Sequence, residues 1–289
     1  MKIERLPKRL GRWLAVLLIL LLLLIVWLWR ERPLPPAPTP LPTPVGETAR
    51  WQLYLPRVVA GPPTAWLRRG VAWYAPGTYK EADLLQAWWV YHSAGCHRAR
   101  GRVLPIVRPV SWVECAGALP REYAGWLLVG NEGEFPGQDN LTPAAMAQFV
   151  AQVRQRWPRA RLVCLNSYLI GYMEQVMAAM ERPCEVWGLH VYQQPEWLPS
   201  QRVDAVCDAV ERRWEGEECR VIITEMGHSV TLPKAYQVMR TWTADALADP
   251  RVLVVMVYTA REAVPERLNV LESDGQLRAT GRGWVDGGG

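Results

Sequence analysis

Hydrophobic and polar positions along this chain change rhythm three times. Residues 13–29 run for 17 positions without a charge and are Leu-rich throughout. That is near the lower limit for an apolar helix crossing a bilayer. Next, seven prolines fall between Pro33 and Pro44, a spacing that favours a stiff, extended spacer. From about Trp51 onward, short runs rich in β-branched and aromatic residues alternate with helical patterns. The candidate strands are 70–74, 87–91, 102–107, 125–130, 161–165, 186–191, 220–224 and 252–258. Several are apolar on both faces, as parallel strands covered on both sides require. The clearest helical stretches are 143–157, 171–180, 202–214 and 233–248, the first with Thr142 as N-cap and Pro143 at its first position. Helices after the second and third strands look short or absent.

Eight strands alternating with helices in this length read as an α/β fold, a (β/α)8 TIM barrel. A doubly wound open sheet is the alternative, but no glycine-rich phosphate loop follows any strand. The expected organisation is a basic cytoplasmic tail at 1–12, a single transmembrane helix at 13–29, a Pro-rich linker at 30–49 and the barrel at 50–289. Arg30-Glu31-Arg32 follows the apolar run in place of a small-residue cleavage site, which favours an uncleaved anchor over a removed signal peptide. Five basic residues before the run place the N-terminus in the cytoplasm and the barrel outside it.

Charge and composition change this picture in two places. The formal net charge is +5, yet Lys2, Arg5, Lys8, Arg9, Arg12, Arg30 and Arg32 against Glu4 and Glu31 account for all of it. The remainder is neutral, and nucleic-acid binding, which needs a basic face, is not expected. Aromatic usage is skewed, with 16 Trp and 10 Tyr beside 2 Phe. Rings with a polar handle suit wet surfaces that stack on flat partners such as sugars, although Trp also fills cores. The six cysteines, Cys96, Cys115, Cys164, Cys184, Cys207 and Cys219, show no metal-ligand spacing, and neither metal nor cofactor is expected. Disulfides are permitted outside the cytoplasm, but six cysteines allow about 15 pairings. Cys164, inside a candidate core strand, reads as a buried thiol.

In a barrel of this kind the site lies at the C-terminal strand ends. Strand four ends in Asn131-Glu132, strand five in Asn166, strand six in His190-Val191-Tyr192, strand seven in Thr224-Glu225 and strand eight in Tyr258. Two glutamates after apolar runs are what glycosidic cleavage needs, one to protonate the leaving oxygen and one to attack carbon or activate water. Either glutamate alone reads more often as a solvated loop charge, and it is their company that changes the reading. Asn131, His190 and Tyr192 can reach the same mouth, and a Tyr beside a carboxylate can orient it. Trp89, Trp112 and Trp197 are candidate sugar platforms, with Trp89 equally readable as core, and His228 is a further candidate lining the cleft.

These strand ends resemble clan A of the glycoside hydrolases, and more closely glycoside hydrolase family 128. The likeness rests on Trp88-Trp89-Val90-Tyr91, on Leu128-Val129-Gly130-Asn131-Glu132, on Gln138-Asp139-Asn140-Leu141-Thr142-Pro143, and on the His190-x-Tyr192 and Ile223-Thr224-Glu225 endings. It spans roughly residues 68–284. The resemblance implies a retaining β-1,3-glucan hydrolase with Glu132 as acid/base and Glu225 as nucleophile, and Asn131, His190, Tyr192, Trp89, Asn166 and Tyr258 around the substrate. Its partners would be a polysaccharide substrate and, through the N-terminal helix, the membrane. Two departures stand out: Gly133-Glu134 replaces the Pro-Asp usual after the Asn-Glu pair, leaving Glu134 as a rival acid, and Tyr258 stands where the clan commonly has Trp. They keep open a barrel that binds carbohydrate without turning it over. An inert structural protein of the envelope is a third reading, against which the presence of both glutamates argues.

Overall fold

The computed structural model describes residues 65–72, 85, 87–91, 103–192, 197–227, 234–258, 270–271 and 276–287. The expected tail, anchor and linker, and His228, lie outside them. Among the described residues no helix is long and apolar enough to cross a membrane.

Every candidate strand has a counterpart: β1 (Arg69–Ala72), β2 (Trp89–Tyr91), β3 in two pieces (Val103–Leu104 and Ile106–Val107), β4 (Trp126–Val129), β5 (Arg161–Ser167), β6 (Val186–Tyr192), β7 (Val221–Gly227) and β8 (Val252–Val257). All neighbours pair in parallel. The sheet runs from the first piece of β3 through β2, β1, β8, β7, β6, β5 and β4 to the second piece of β3. Both ends are therefore one strand, interrupted at Pro105, whose ring removes a ladder donor. The sheet closes on itself as an eight-stranded barrel.

Among the described residues the α-helices are α1 (Trp112–Ala118), α2 (Pro143–Arg156), α3 (Ile170–Ala179), α4 (Pro199–Arg213), α5 (Lys234–Ala248) and α6 (Ala279–Asp286). The Thr142 side chain accepts from the Ala145 amide, and Pro143 opens α2. This helix buries Met146, Phe149, Val150 and Val153, an i, i+3, i+4, i+7 stripe against the sheet. As expected, the helix after β3 is short.

Two apolar layers follow from the period-two alternation of strand side chains. Leu128, Val163, Val186, Ile222 and Val254 face one another inside the barrel. Leu127, Leu162, Trp187, Ile223 and Val255 face outward and pack with residues of the helices. Two disulfides brace the outer layer. Cys164–Cys184 ties β5 to the segment before β6, and Cys207–Cys219 ties α4 to the segment before β7. The expectation of a buried thiol at Cys164 is corrected: the residue faces outward, 6.2 Å from Cys184 between Cα atoms, within ordinary bridging range. Cys115 is also disulfide-bonded.

Candidate active site

The two glutamates reach the barrel mouth by different devices. On β7, strict alternation from the inward Ile222 would send residue 225 outward. The register breaks there: Leu189 pairs with Ile223, but His190 pairs with Glu225, so Thr224 is an extra residue. A bulge of this kind re-aims the following side chain, turning Glu225 inward while Met226 joins the outer layer. β6 runs regularly over the same stretch, so His190 and Tyr192, two apart, share the inner face.

Glu132 lies just beyond β4 with φ 45°, a left-handed conformation unusual for a residue with a side chain. Its backbone is held from several directions. Its amide donates to the Asn166 carbonyl at 3.0 Å, and the Asn131 amide before it donates to Asp139 Oδ2 at 2.6 Å. Asp139 is pinned in turn by Arg108 Nε at 2.7 Å. Burial raises the Asp139 carboxyl above its usual range against the opposing pull of Arg108. The loop is thus nailed to the end of β3 as well as to β5.

The side chains converge on His190, which is fully buried. Its Nδ1 lies 2.9 Å from Glu132 Oε1 and 3.5 Å from Glu225 Oε2. Glu132 retains 16% side-chain exposure and Glu225 5%, so the acid/base candidate is the more open of the two. Tyr192 donates its hydroxyl to Glu225 Oε2. One oxygen each from Glu132 and Glu225, with the imidazole nitrogen, lie within 4.8 Å of one another. Among the described residues this trio is also the set that could offer ligand atoms to a metal. Burial alone would push the His190 imidazole down. Glu225's charge, the hydrogen bond to Glu132 and the charges of Glu132 and Glu134 outweigh it and hold the ring above its ordinary value.

The remaining candidates divide by position. Tyr258 follows β8 and packs edge-on against Tyr192, with ring centroids 5.8 Å apart, so it stands at the mouth. Asn131 is buried and donates from Nδ2 to Gln138 Oε1 at 3.2 Å. Asn166 is fully buried, and its Nδ2 donates to the Gly130 carbonyl at 2.7 Å. A Cβ on Gly188 would come within 2.2 Å of Asn166 Oδ1, so glycine is what lets that side chain lie against β6. In this position Asn166 clamps the end of β4. Trp89 lies inside the barrel near the start of β2, stacked on Trp126 at 5.5 Å and donating to the Leu67 carbonyl. It fills the interior below the carboxylates. Trp112 packs edge-on to Phe149 and Trp157, while Trp197, after β6, is 49% exposed.

Glu134, the rival acid, is engaged through one of its two oxygens, the other being buried without a partner. Its Oε1 accepts from Ser167 Oγ at 2.7 Å, the Tyr168 amide at 2.8 Å and the Leu169 amide at 3.0 Å. It anchors the turn after β5. Sequence reasoning missed this anchor and the Arg108–Asp139 pin. The Gln138-Asp139 pair inside the family-like stretch was the one available signal for the pin.

Fold and site together define a (β/α)8 barrel carrying two close carboxylates at the ends of its fourth and seventh strands. No protein-family model matches the chain, and no curated protein matches it. Solved structures do. An endo-β-1,3-glucanase of glycoside hydrolase family 128, subgroup II, from Sorangium cellulosum superposes with a TM-score of 0.56 at 19% identity, covering 75% of this chain and 97% of its own. A subgroup I endo-β-1,3-glucanase from Amycolatopsis mediterranei, solved with laminaritriose, gives 0.58 at 14% identity, covering 76% and 99%. A subgroup VII oligosaccharide-binding protein from Trichoderma gamsii gives 0.56 at 12%, covering 77% and 93%. The chain has the fold of family 128.

Proposed function

We propose that this protein is a retaining glycoside hydrolase acting on β-1,3-glucan or a related β-linked polysaccharide. The observation that carries the reading is the approach of Glu132 and Glu225 oxygens to within 4.8 Å. Retaining enzymes hold their carboxyls about 5–5.5 Å apart, and inverting ones leave a wider gap for water. Glu225, buried and oriented by Tyr192, attacks the anomeric carbon. Glu132, the more exposed, protonates the leaving oxygen and then takes a proton from the water that hydrolyses the glycosyl-enzyme. The uncharged balance of residues 33–289 suits a neutral glycan. The apolar run at 13–29 anchors the barrel on the outer side of a membrane, and the proline spacer holds it away from the surface.

A second reading, a barrel that binds oligosaccharide without cleaving it, is favoured by the Trichoderma gamsii protein of the same fold. One comparison separates them. The full chain in detergent is incubated with β-1,3-glucan oligosaccharides beside Glu225→Gln and Glu132→Gln. Release of reducing ends falls roughly a hundredfold or more in each variant if both carboxyls do chemistry. Binding of equal strength in all three proteins, with no release in any, assigns the binding role instead.

A further inference from the structure

The turn after β5 is held more firmly than a surface turn needs. Tyr168 is its first residue beyond the strand, half-buried at the mouth. Its amide donates to Glu134 Oε1 at 2.8 Å, and its carbonyl accepts from Arg202 Nη2 on α4. The Arg202 guanidinium also lies over the phenol ring, 4.8 Å from its centroid. One side chain thus fixes the main chain and the ring of Tyr168 together. Arg202 is itself buried, and burial lowers its pKa from the usual arginine value. Its Nε has no partner, and among the described residues no carboxylate pairs with it. A buried cation without a counter-ion is destabilising, and an apolar side chain would fill the same space without that penalty. What the guanidinium adds is its hold on the Tyr168 carbonyl and its attraction to the ring face.

The ring held in this way stands 6.4 Å from that of Tyr192, the residue that orients Glu225, while Tyr258 flanks Tyr192 from β8. Round the barrel, Glu132 follows β4, Tyr168 follows β5, Tyr192 ends β6 and Glu225 stands on β7. Tyr168 is therefore on the acid/base flank of the mouth, away from the nucleophile's strand. The oxygen that Glu132 protonates carries the departing sugar, so that sugar lies on the same flank.

We propose that Tyr168 is the platform on which the departing glucosyl unit stacks, and that Arg202 is the positioning residue that keeps its ring there. The inference rests on reading the site as a retaining hydrolase with Glu132 as acid/base. A β-linked glucosyl ring carries its hydroxyls equatorially, so its C–H bonds make flat apolar faces that match an aromatic ring. Arg202 backs one face of Tyr168 and leaves the other to the sugar. Because the ring is fixed before substrate arrives, little side-chain freedom is lost on binding.

Two substrates separate this role from a structural one. A β-1,3-glucan hexasaccharide departs with sugar on the leaving side, whereas a β-1,3-glucan trisaccharide β-fluoride releases only an ion too small to reach the ring. With the full chain in detergent, Tyr168→Ala should lose roughly tenfold in kcat/KM on the hexasaccharide. Its loss on the fluoride should be far smaller. Tyr168→Phe, which keeps the ring, should recover the hexasaccharide rate, and Arg202→Met should show the same substrate-selective loss in weaker form. Each comparison is a ratio between two substrates in one preparation, so a partly unfolded variant does not imitate it. Equal losses on both substrates, or a loss that phenylalanine does not recover, make Tyr168 merely structural and overturn the platform. Absence of turnover of both substrates by the parent would instead overturn the hydrolase reading. Hexasaccharide binding to the parent and to Tyr168→Ala would then decide the platform, with a weakened affinity supporting it and an equal one overturning it.

Discussion

Glu225 faces the mouth because one extra residue, Thr224, sits in its strand, and His190 faces it because no such residue interrupts the neighbouring one. Between them these two placements put an imidazole against two carboxylates, with a consequence for stability as well as chemistry. The folded state holds the His190 proton more tightly than an unfolded chain does, since the carboxylates outweigh burial. Such a group stabilises the fold fully below the unfolded value of about 6.5 and loses that contribution as pH rises through the folded value. The Tm of the parent should therefore fall as pH is raised above about 6.5, and His190→Asn should flatten that part of the curve. Thermal melts from weakly acid to alkaline pH check this. A parallel decline in both proteins would count against it.

Among the elements, the loop after β4 shows best what the sequence made legible. Glu132 could be found because a charge ends an apolar run, and Thr142 because a cap precedes a proline. Gly133 could only be recorded as a departure from the family's usual proline. Its reason lies in three dimensions: a Cβ there would stand 2.3 Å from the Tyr172 hydroxyl and 2.7 Å from Met146 Cε. Tyr172 bonds the Leu141 carbonyl from α3, 31 residues away, and no local pattern announces it. Gly133→Ala should cost about 1–3 kcal/mol through overpacking. Tyr172→Phe in the same chain should recover part of that loss, a coupling that urea unfolding of both single variants and the double would measure. Simple additivity would show that the hydroxyl is not what fills the space. The bulge at Thr224 was hidden for a related reason, since alternation read from sequence assumes an unbroken register.

At the scale of the whole molecule, the strands were legible because several are apolar on both faces, a pattern that burial between helices and barrel interior imposes. Cysteine pairing was not, because it depends on which way each strand residue points. Closing loops of 20 and 12 residues, the two bridges should each contribute about 2–3 kcal/mol by restricting the unfolded chain. Reduction should lower the Tm by several degrees, as a melt with and without reductant would show, and an unchanged Tm would mean the bridges do not constrain unfolding. Closure itself has a temporal side. β1 pairs with β8, so Val71 waits for Val257, almost the whole barrel later in the chain. A chain that emerges amino end first holds β1 beside an empty lane until its last strand arrives, and every earlier stage of its synthesis presents open sheet edges to whatever else can add a strand.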